Sequence, residues 1–361
     1  MNVVSEGKAH IRTNEKVFFN PKMSTLRDMS VAFLLAYGCA GKTLLDATAA
    51  TGVRAIRYYK ECGIGSATAI DINKNAYKLC RKNILLNNVD VDCKNVSIQE
   101  FANNSDEKFD IIDLDPFGSP APDIYDLMKI SKDGTVLMAT ATDTAVLCGA
   151  HSAACLKQYN SKPLHNELCK EVGIRILMCY ISKIAAQFNF GSVPLMCISD
   201  MHYMRVFIKL ESGAKNAYGA VRFGGIGTFC HSCGRFDFKR GVSPLIGNVC
   251  ADCSSEVEGF GPLWLGNLYD KGLSLKVAKA QGSRLAECIS KEFDTPLFYS
   301  VPKMTKRLGL SSISHYKVIE ALSDLGYTAT ATQFDDNGIK TNATAKEVSK
   351  CIKALSRSNK G

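Results

Sequence analysis

The stretch TLLDATAATGVRAIRYY, residues 43–59, contains a short apolar strand, a turn of small residues and the beginning of a helix. We predict the strand at Thr43–Asp46 and the helix from Val53 onward. The same order follows directly, with a strand at Ala67–Asp71 and a helix at Lys74–Leu86. Strands that alternate with helices pair in parallel, so the stretch predicts a doubly wound α/β sheet.

The alternation continues along the chain, with a strand at Phe109–Asp115, a helix at Pro122–Ile130 and a strand at Gly134–Thr140. Residues 1–30, by contrast, show no periodic pattern, and we predict an irregular lead-in there. Residues 213–228 are rich in glycine, which predicts a loop. The sheet is therefore expected between these two irregular segments.

We place a domain boundary in the glycine-rich loop, so that residues 1–215 form one domain and residues 216–361 a second, α+β domain. The first domain carries the predicted sheet. The second carries paired cysteines within residues 230–253. Helical patterns follow at 274–292, at 300–326 (two helices) and at 344–356.

The composition fits a folded protein of two or three domains, because 46% of the 361 residues are apolar and 22% are charged. The net charge of +9 is compatible with an RNA partner, although many basic proteins bind no nucleic acid. No stretch is long and apolar enough to span a bilayer, and Met1–Arg12 lacks the apolar core of a signal peptide. We therefore expect a cytoplasmic protein with reduced cysteines and no membrane or obligate protein partner.

The turn Ala47–Gly52 is a candidate ligand site, because open parallel sheets bind ligands at the carboxyl ends of their strands. Asp46 and Asp71 both lie at such ends, and Asp71 is placed to accept hydrogen bonds from ribose hydroxyls. The turn is not a G-x-G-x-x-G, so a nucleoside without a pyrophosphate, such as S-adenosylmethionine, is favoured. Each aspartate alone is as readily a helix cap, but the ordered pair favours a cofactor site.

Asp115-Pro116-Phe117-Gly118 follows a predicted strand and has the residue types that methylation of an exocyclic amine requires. The nitrogen lone pair is delocalised into the base, so the N–H groups need acceptors that hold them while the nitrogen attacks. The carboxylate of Asp115 and the carbonyl of Pro116 supply those acceptors, and Phe117 offers a face for stacking. The alternative is a turn that only ends a strand.

Cys230-His231-Ser232-Cys233 and Cys250-Ala251-Asp252-Cys253 form two C-x-x-C pairs, with sixteen residues between them. This spacing is typical of a four-cysteine Zn²⁺ site. Four thiolates leave no open coordination position, so the predicted role of Zn²⁺ is structural. Two reduced pairs without metal are the alternative.

Together these motifs resemble the tRNA (guanine-26)-N2-dimethyltransferase family. The resemblance covers nearly the whole chain and is most specific in DLDPFGSP, residues 113–120, and GPLWLG, residues 261–266. Other matching segments are Glu6-Gly7, Val17–Pro21, Arg27–Ser30, Leu45–Arg57, Thr142–Leu147, Gly173–Leu177 and Gly338–Thr341.

The resemblance implies a class I (Rossmann-like) methyltransferase domain and a C-terminal tRNA-binding domain with a zinc ribbon. It implies transfer of one or two methyl groups from S-adenosylmethionine to the N2 amine of guanine 26 in tRNA. Asp115 matches the catalytic carboxylate, and Arg27, Arg54 and Asp71 match cofactor-binding positions, with Arg27 toward the methionine carboxylate.

The chain departs from the family at the turn that binds adenine, where Ser97-Ile98 stand in place of the usual Asp-Ala. We still expect these two residues at the cofactor, with Ile98 packed on adenine.

Two other functions remain open on the sequence alone. One is methylation of a different nucleobase or of an amide amine, which the Asp-Pro-aromatic motif does not exclude. The other is a non-catalytic RNA-binding protein with a zinc ribbon, against which the intact Asp71 and Asp115 argue. Arg205 and Lys209 indicate either an RNA groove or a solvated face.

Overall fold

The described residues, 2–241 and 244–358, form fifteen strands and fourteen α-helices in this computed structural model. The strands are β1 (Asn2–Glu6), β2 (Ala9–Thr13), β3 (Thr43–Asp46), β4 (Ser66–Ile70), β5 (Val91–Lys94), β6 (Phe109–Leu114), β7 (Ser131–Ala141), β8 (Phe190–Ser199), β9 (Met204–Ser212), β10 (Gly224–Phe229), β11 (Phe236–Arg240), β12 (Glu258–Trp264), β13 (Tyr299–Ser300), β14 (Ala329–Ala331) and β15 (Gly338–Thr341). The helices are α1 (Ser24–Tyr37), α2 (Val53–Cys62), α3 (Lys74–Asn87), α4 (Ile98–Asn104), α5 (Ala121–Lys129), α6 (Thr144–Leu147), α7 (Ser152–Tyr159), α8 (Cys169–Gln187), α9 (Ala214–Val221), α10 (Lys271–Gln281), α11 (Arg284–Lys291), α12 (Val301–Arg307), α13 (His315–Asp324) and α14 (Ala345–Ser358).

A seven-stranded sheet in the order β5-β4-β3-β6-β7-β9-β8 confirms the predicted doubly wound architecture. The first five strands of this order are parallel, and β9 and β8 extend the sheet as antiparallel neighbours. The chain passes from β3 to β4 on one side and returns to β6 on the other side of β3. The carboxyl ends of β3, β4 and β6 therefore meet at the switch point, where open sheets bind their ligands.

The central strand β6 is apolar along nearly its whole length because helices cover both faces of the sheet. Ile111, Ile112 and Leu114 have no exposed surface, and Phe33 of α1 packs on Phe207 of β9. Burial of these side chains supplies the main favourable term for the domain, at roughly 25 cal/mol per Å² of apolar surface. It also holds the strand ends rigidly at the switch point.

The N-terminal segment is ordered, so the prediction of an irregular lead-in over residues 1–30 was wrong. The strands β1 and β2 form an antiparallel hairpin, and α1 begins at Ser24. The side chains of Asn83 and Asn87 in α3 accept hydrogen bonds from the backbone of β2. The partners are far apart in the sequence, so no local pattern indicated this pairing.

The segment 213–228 is also structured, which corrects the loop predicted there: it contains α9 and β10. The strand β10 pairs with β11 and β12 in a three-stranded antiparallel sheet. A Cβ atom at Gly227 would lie 2.3 Å from the ring of Phe260, so this glycine permits close packing. The helix α9 spans the predicted boundary after residue 215 and packs on α8 and β8.

The C-terminal part adds a small antiparallel sheet, β13-β15-β14, with α12, α13 and α14 beside it. The two helices predicted within 300–326 and the helix predicted over 344–356 are confirmed. The helical stretch predicted over 274–292 is divided into α10 and α11, because Gly282 ends α10 with φ +65°. None of the helices in the described ranges has the length and apolar character that a membrane crossing requires.

Four buried charged residues, Glu171, Arg175, Glu292 and Lys340, join the two parts of the chain; we call them the junction cluster. Glu171 Oε1 lies 2.8 Å from both Arg175 Nε and Lys340 Nζ, and Lys340 Nζ lies 3.2 Å from Glu292 Oε1. Arg175 also donates to the carbonyl of Trp264. Two cations balance two carboxylates, so the cluster carries no net charge in the core.

Candidate active site and metal centre

A cleft of about 500 Å³ opens over the carboxyl ends of β3, β4 and β6. Its walls contain six of the nine predicted catalytic and cofactor residues: Arg27, Arg54, Asp71, Asp115, Pro116 and Phe117. The three others, Asp46, Ser97 and Ile98, lie outside the wall. The topology thus brings together side chains from α1, α2 and two strand ends.

The small-residue turn of the cleft is held by Asp71. The N–H of Ala50 donates to Asp71 Oδ2 at 2.8 Å, and the N–H of Asn73 donates to Asp71 Oδ1 at 2.8 Å. Ala50 has φ +47°, a conformation that favours glycine, and the bond to Asp71 stabilises it there. At Gly52, with φ +80°, a Cβ atom would lie 2.6 Å from the sulfur of Cys80. The turn therefore approaches the cleft with backbone and small side chains, those of Thr48, Ala49, Ala50 and Thr51.

Asp46 lies beneath the cleft, with 1% of its surface exposed. Its Oδ2 accepts a hydrogen bond from the N–H of Ala55 at 3.3 Å. Burial, together with the nearby charge of Asp113, raises the pKa of Asp46 to about 7. Asp46 thus supports the turn from below.

Ser97 and Ile98 begin α4, away from the cleft wall. Ser97 Oγ accepts a hydrogen bond from the N–H of Glu100 at 3.1 Å and so caps the helix. Ile98 is 8% exposed and belongs to the main core. The apolar residue that does line the cleft beside Asp71 is Ile72, which is 75% exposed and which the sequence analysis missed.

The Asp-Pro-Phe-Gly turn is fixed at both ends by hydroxyl groups. The N–H of Asp115 donates to Thr48 Oγ1 at 2.9 Å, and the N–H of Gly118 donates to Thr142 Oγ1 at 2.7 Å. The carboxylate of Asp115 forms an ion pair with Arg54 and keeps 18% of its side chain exposed. Rigid backbone and partial exposure suit a carboxylate that receives a ligand.

Two phenylalanines form the mouth of the cleft. Phe117 is 75% exposed and Phe18 is 53% exposed, and their ring centroids lie 4.6 Å apart at an interplanar angle of 76°. Exposed aromatic rings are costly unless a ligand covers them. Phe117 was predicted from its motif, whereas Phe18, which the Val17–Pro21 segment brings in from the N-terminal side, was not.

Arg27 reaches the cleft wall with its guanidinium already bound. Its Nε and Nη2 donate to the two carboxylate oxygens of Glu6 at 2.6 and 2.5 Å, and Nη2 also donates to the carbonyl of Asn20. Burial opposes ionisation of Glu6, but bonds from Arg27 and Arg57 outweigh it and lower the pKa of Glu6. The Nη1 group of Arg27 takes no part in these bonds.

Four buried side chains lie under Asp115: Asp113, Arg205, Tyr58 and Arg54, which we call the Asp113 cluster. Asp113 Oδ2 accepts from Arg205 at 2.8 Å and from Tyr58 at 2.6 Å, and lies 3.6 Å from Arg54 Nε. Burial favours the neutral acid, but the charges of Arg205 and Arg54 prevail and lower the pKa of Asp113. Arg205 is fully buried, so the RNA groove or solvated face expected for it was wrong.

The four paired cysteines converge in the C-terminal part. The sulfur atoms of Cys230, Cys233, Cys250 and Cys253 all lie within 4.8 Å of one another. The Cys230–Cys253 and Cys233–Cys250 sulfur distances are 3.4 and 3.6 Å. Tetrahedral Zn²⁺ with Zn–S bonds of about 2.3 Å requires sulfur separations of about 3.8 Å.

The surroundings of the four sulfurs also suit a thiolate-bound metal. The N–H of Asp252 points at the sulfur of Cys250, with a nitrogen–sulfur distance of 3.4 Å. His231 is directed away, because its Nε2 lies 2.9 Å from a carboxylate oxygen of Glu258. The four sulfurs are therefore grouped closely enough to hold a metal ion, whereas the ring of His231 is not part of the group.

A nucleoside-sized cleft at the switch point of a seven-stranded sheet, with an Asp-Pro-Phe turn in its wall, defines a class I methyltransferase fold. Residues 1–353 match the family model for N2,N2-dimethylguanosine tRNA methyltransferases. This chain therefore belongs to that family.

Named relatives agree with this assignment. The tRNA (guanine(26)-N(2))-dimethyltransferase of Pyrococcus furiosus is 36% identical, over 94% of this chain and 95% of its own length. The enzyme of the same name from Pyrococcus horikoshii is 33% identical, over 98% of both chains. The solved complex of Trm1 from Pyrococcus horikoshii with S-adenosyl-L-methionine superposes with a TM-score of 0.91 at 33% identity, over 97% of this chain and 99% of the other.

Proposed function

We propose that this protein transfers one or two methyl groups from S-adenosylmethionine to the exocyclic N2 amine of guanine 26 in tRNA. The observation that carries the proposal is the partly exposed carboxylate of Asp115, in a rigid turn beside the cleft. A solved relative of the same fold is a complex with S-adenosyl-L-methionine, which supports this cofactor. The position of the guanine comes from the names of the relatives.

The residues of the cleft fit the proposed cofactor. Each oxygen of Asp71 accepts one backbone N–H and has a lone pair left for a ribose hydroxyl. Ile72 offers an apolar face for adenine, and the free Nη1 of Arg27 suits a carboxylate. When bound, S-adenosylmethionine supplies an electrophilic methyl group on a sulfonium. Asp46 supports the turn from beneath; cofactor contacts of Ser97 and Ile98 remain predictions.

Asp115 and Pro116 orient the guanine amine in this proposal. One carboxylate oxygen of Asp115 holds Arg54, which leaves the other to accept an N–H of the base. The carbonyl of Pro116 accepts the second N–H. With both hydrogens held, the nitrogen becomes pyramidal, and its lone pair would form the N–C bond as the methyl–sulfur bond of the sulfonium breaks and leaves its electron pair on sulfur. The nitrogen then loses one proton, which Asp115 accepts.

The paired phenylalanines bind the base. A guanine inside a stacked helix is out of reach, so it has to leave the stack, and this costs a few kcal/mol. Phe117 supplies the stacking face, and Phe18, in edge-to-face contact with Phe117, adds apolar surface at the side of the base. Stacking on an aromatic ring contributes roughly 1–3 kcal/mol per base, which offsets much of that cost.

We propose Zn²⁺ as a structural ion bound by Cys230, Cys233, Cys250 and Cys253, in a C-terminal tRNA-binding domain over residues 216–361. A four-thiolate site contributes folding free energy, so Cys250→Ser should lower both zinc content and melting temperature. Cys288→Ser, outside the cluster, is the control. Full zinc content with unchanged melting temperature in the Cys250 variant would contradict the proposed zinc site.

A cytoplasmic location likewise remains a prediction.

Mass spectrometry of nucleosides tests the function directly. Unmodified tRNA transcript is incubated with the protein and methyl-labelled S-adenosylmethionine, and the digest is searched for labelled N2-methylguanosine and N2,N2-dimethylguanosine. A transcript with adenine at position 26 is the control and should remain unlabelled. Label on another base, or on protein instead of tRNA, would favour methylation of a different amine. Failure to bind the cofactor in calorimetry would favour a non-catalytic RNA-binding protein.

A further inference from the structure

Arg54 lies between two carboxylates of the same motif. Its guanidinium forms an ion pair with Asp115 at the cleft, and its Nε lies 3.6 Å from Asp113 Oδ2 in the core. The side chain of Arg54 is only 7% exposed, so it has little freedom to choose other partners. The position of Arg54, and with it the carboxylate of Asp115, therefore depends on where Asp113 is held.

Asp113 is held by residues that reach it from other elements. Arg205 of β9 donates to Asp113 Oδ2 at 2.8 Å and to Thr140 Oγ1 at 2.6 Å. Tyr58 of α2 donates to the same Asp113 oxygen at 2.6 Å. Asp113 and Arg205 have no exposed side-chain surface. A continuous path of contacts thus runs from β9 through the sheet to the cleft.

This cluster is poorly suited to a purely stabilising role. A buried ion pair offsets the loss of hydration only when the remaining polar atoms are also hydrogen-bonded. Three buried atoms of the cluster have no hydrogen-bond partner among the described residues: Arg54 Nε, Asp113 Oδ1 and Arg205 Nε. An apolar replacement of similar volume would satisfy the core at lower cost, so the charges point to another use.

We infer that Asp113, Arg205 and Tyr58 are positioning residues for methyl transfer: through Arg54 they fix the carboxylate of Asp115 toward the base amine. The inference deepens the proposed function and rests on it. The guanidinium of Arg205 neutralises much of the negative charge of Asp113, so Arg54 is free to form its ion pair with Asp115. Without Arg205, Asp113 draws Arg54 inward, and the carboxylate of Asp115 loses its anchor.

Steady-state kinetics of Arg205→Met tests the inference. We expect kcat to fall roughly 10- to 100-fold, because small misplacements of a catalytic group have effects of this size. The KM for tRNA and the calorimetric Kd for S-adenosylmethionine should stay within about twofold of wild type, because Arg205 touches neither ligand. Arg205→Lys keeps the charge but loses the bond to Thr140, so its kcat should lie between that of wild type and that of Arg205→Met. Lys291→Met, which removes an exposed cation remote from the sheet, is the control.

If Arg205→Met does not fold, Tyr58→Phe provides a second test of the positioning role. It removes only the hydroxyl that donates to Asp113, so the sheet should remain intact while kcat falls severalfold. A folded Arg205→Met or Tyr58→Phe variant with wild-type kcat overturns the inference. Loss of cofactor binding in proportion to kcat overturns it as well, because the cluster would then act only on the fold. A wild-type protein that methylates no guanine in tRNA instead refutes the proposed function.

Discussion

The junction cluster and the Asp113 cluster are both buried and both hold two cations against carboxylates, but they differ in how completely their polar atoms are paired. In the junction cluster one atom, Glu171 Oε2, has no hydrogen-bond partner among the described residues, whereas the Asp113 cluster has three such atoms. The first joins two parts of the chain, and the second lies under the cleft. The more completely hydrogen-bonded charges thus join two parts of the fold, while the less completely hydrogen-bonded charges lie under the cleft.

Substitution of Asp115, the carboxylate above the Asp113 cluster, should have the largest effect on kcat. Asp115→Asn removes the charge that accepts the amine proton, and we expect kcat to fall roughly 10²- to 10⁴-fold. The free energy of unfolding should change little, because Asp115 is half-buried and Arg54 keeps Asp113 nearby. Kinetics with labelled cofactor and urea denaturation measure the two quantities. A full kcat in this variant would contradict the role given to Asp115.

The junction cluster should respond in the opposite way. Lys340→Met leaves Glu171 and Glu292 with one cation, and we expect a loss of about 3–5 kcal/mol in unfolding free energy. The kcat of the folded protein should stay near wild type. Adding Glu292→Gln restores neutrality and should recover much of the loss. Lys291→Met breaks an exposed pair and should have no measurable effect. A large drop in the kcat of a folded Lys340→Met variant would mean that the junction cluster, like the Asp113 cluster, affects the reaction.

Ionisation of Asp46, which adjoins the Asp113 cluster, should make the free energy of unfolding depend on pH. Its pKa is raised to about 7 in the folded protein by burial and by Asp113, so the folded state holds its proton where the unfolded state has lost it. Its contribution is fully present below the unfolded pKa of roughly 4 and is lost as the pH rises to about 7.

Asp46→Asn should therefore remove a fall in stability between pH 5 and 7 of at most about 3 kcal/mol. Urea denaturation of the variant and of wild type at pH 5, 6, 7 and 8 measures it. The difference between the two proteins should grow up to pH 7 and then stay constant. A constant difference across the whole range would mean that Asp46 is ionised throughout.

The features predicted correctly from the sequence depend on local patterns. The alternation that begins at Thr43–Asp46 specifies the parallel sheet, and carboxylates at strand ends mark the cleft because strand ends meet at one edge. The C-x-x-C spacing specifies the sulfur cluster, because each pair forms one tight turn. Family membership followed from the longer motifs, which the comparisons confirm.

The features that the sequence did not indicate depend on distant partners. Arg205 looked like a surface cation because its partner Asp113 lies 92 positions away in the sequence. Phe18 looked like part of an irregular lead-in, since only the folded chain sets it against Phe117. Glycines such as Gly227 indicated a loop, although the structure uses the missing side chain for packing between strands.

The hairpin of β1 and β2 has a practical consequence for work with the recombinant protein. It carries Glu6, which forms ion pairs with Arg27 in the cleft wall and with Arg57 in α2. A protease that trimmed the first eight residues would thus remove the carboxylate that holds Arg27 without cutting any residue that lines the cleft. An affinity tag is accordingly better fused to the other end of the polypeptide.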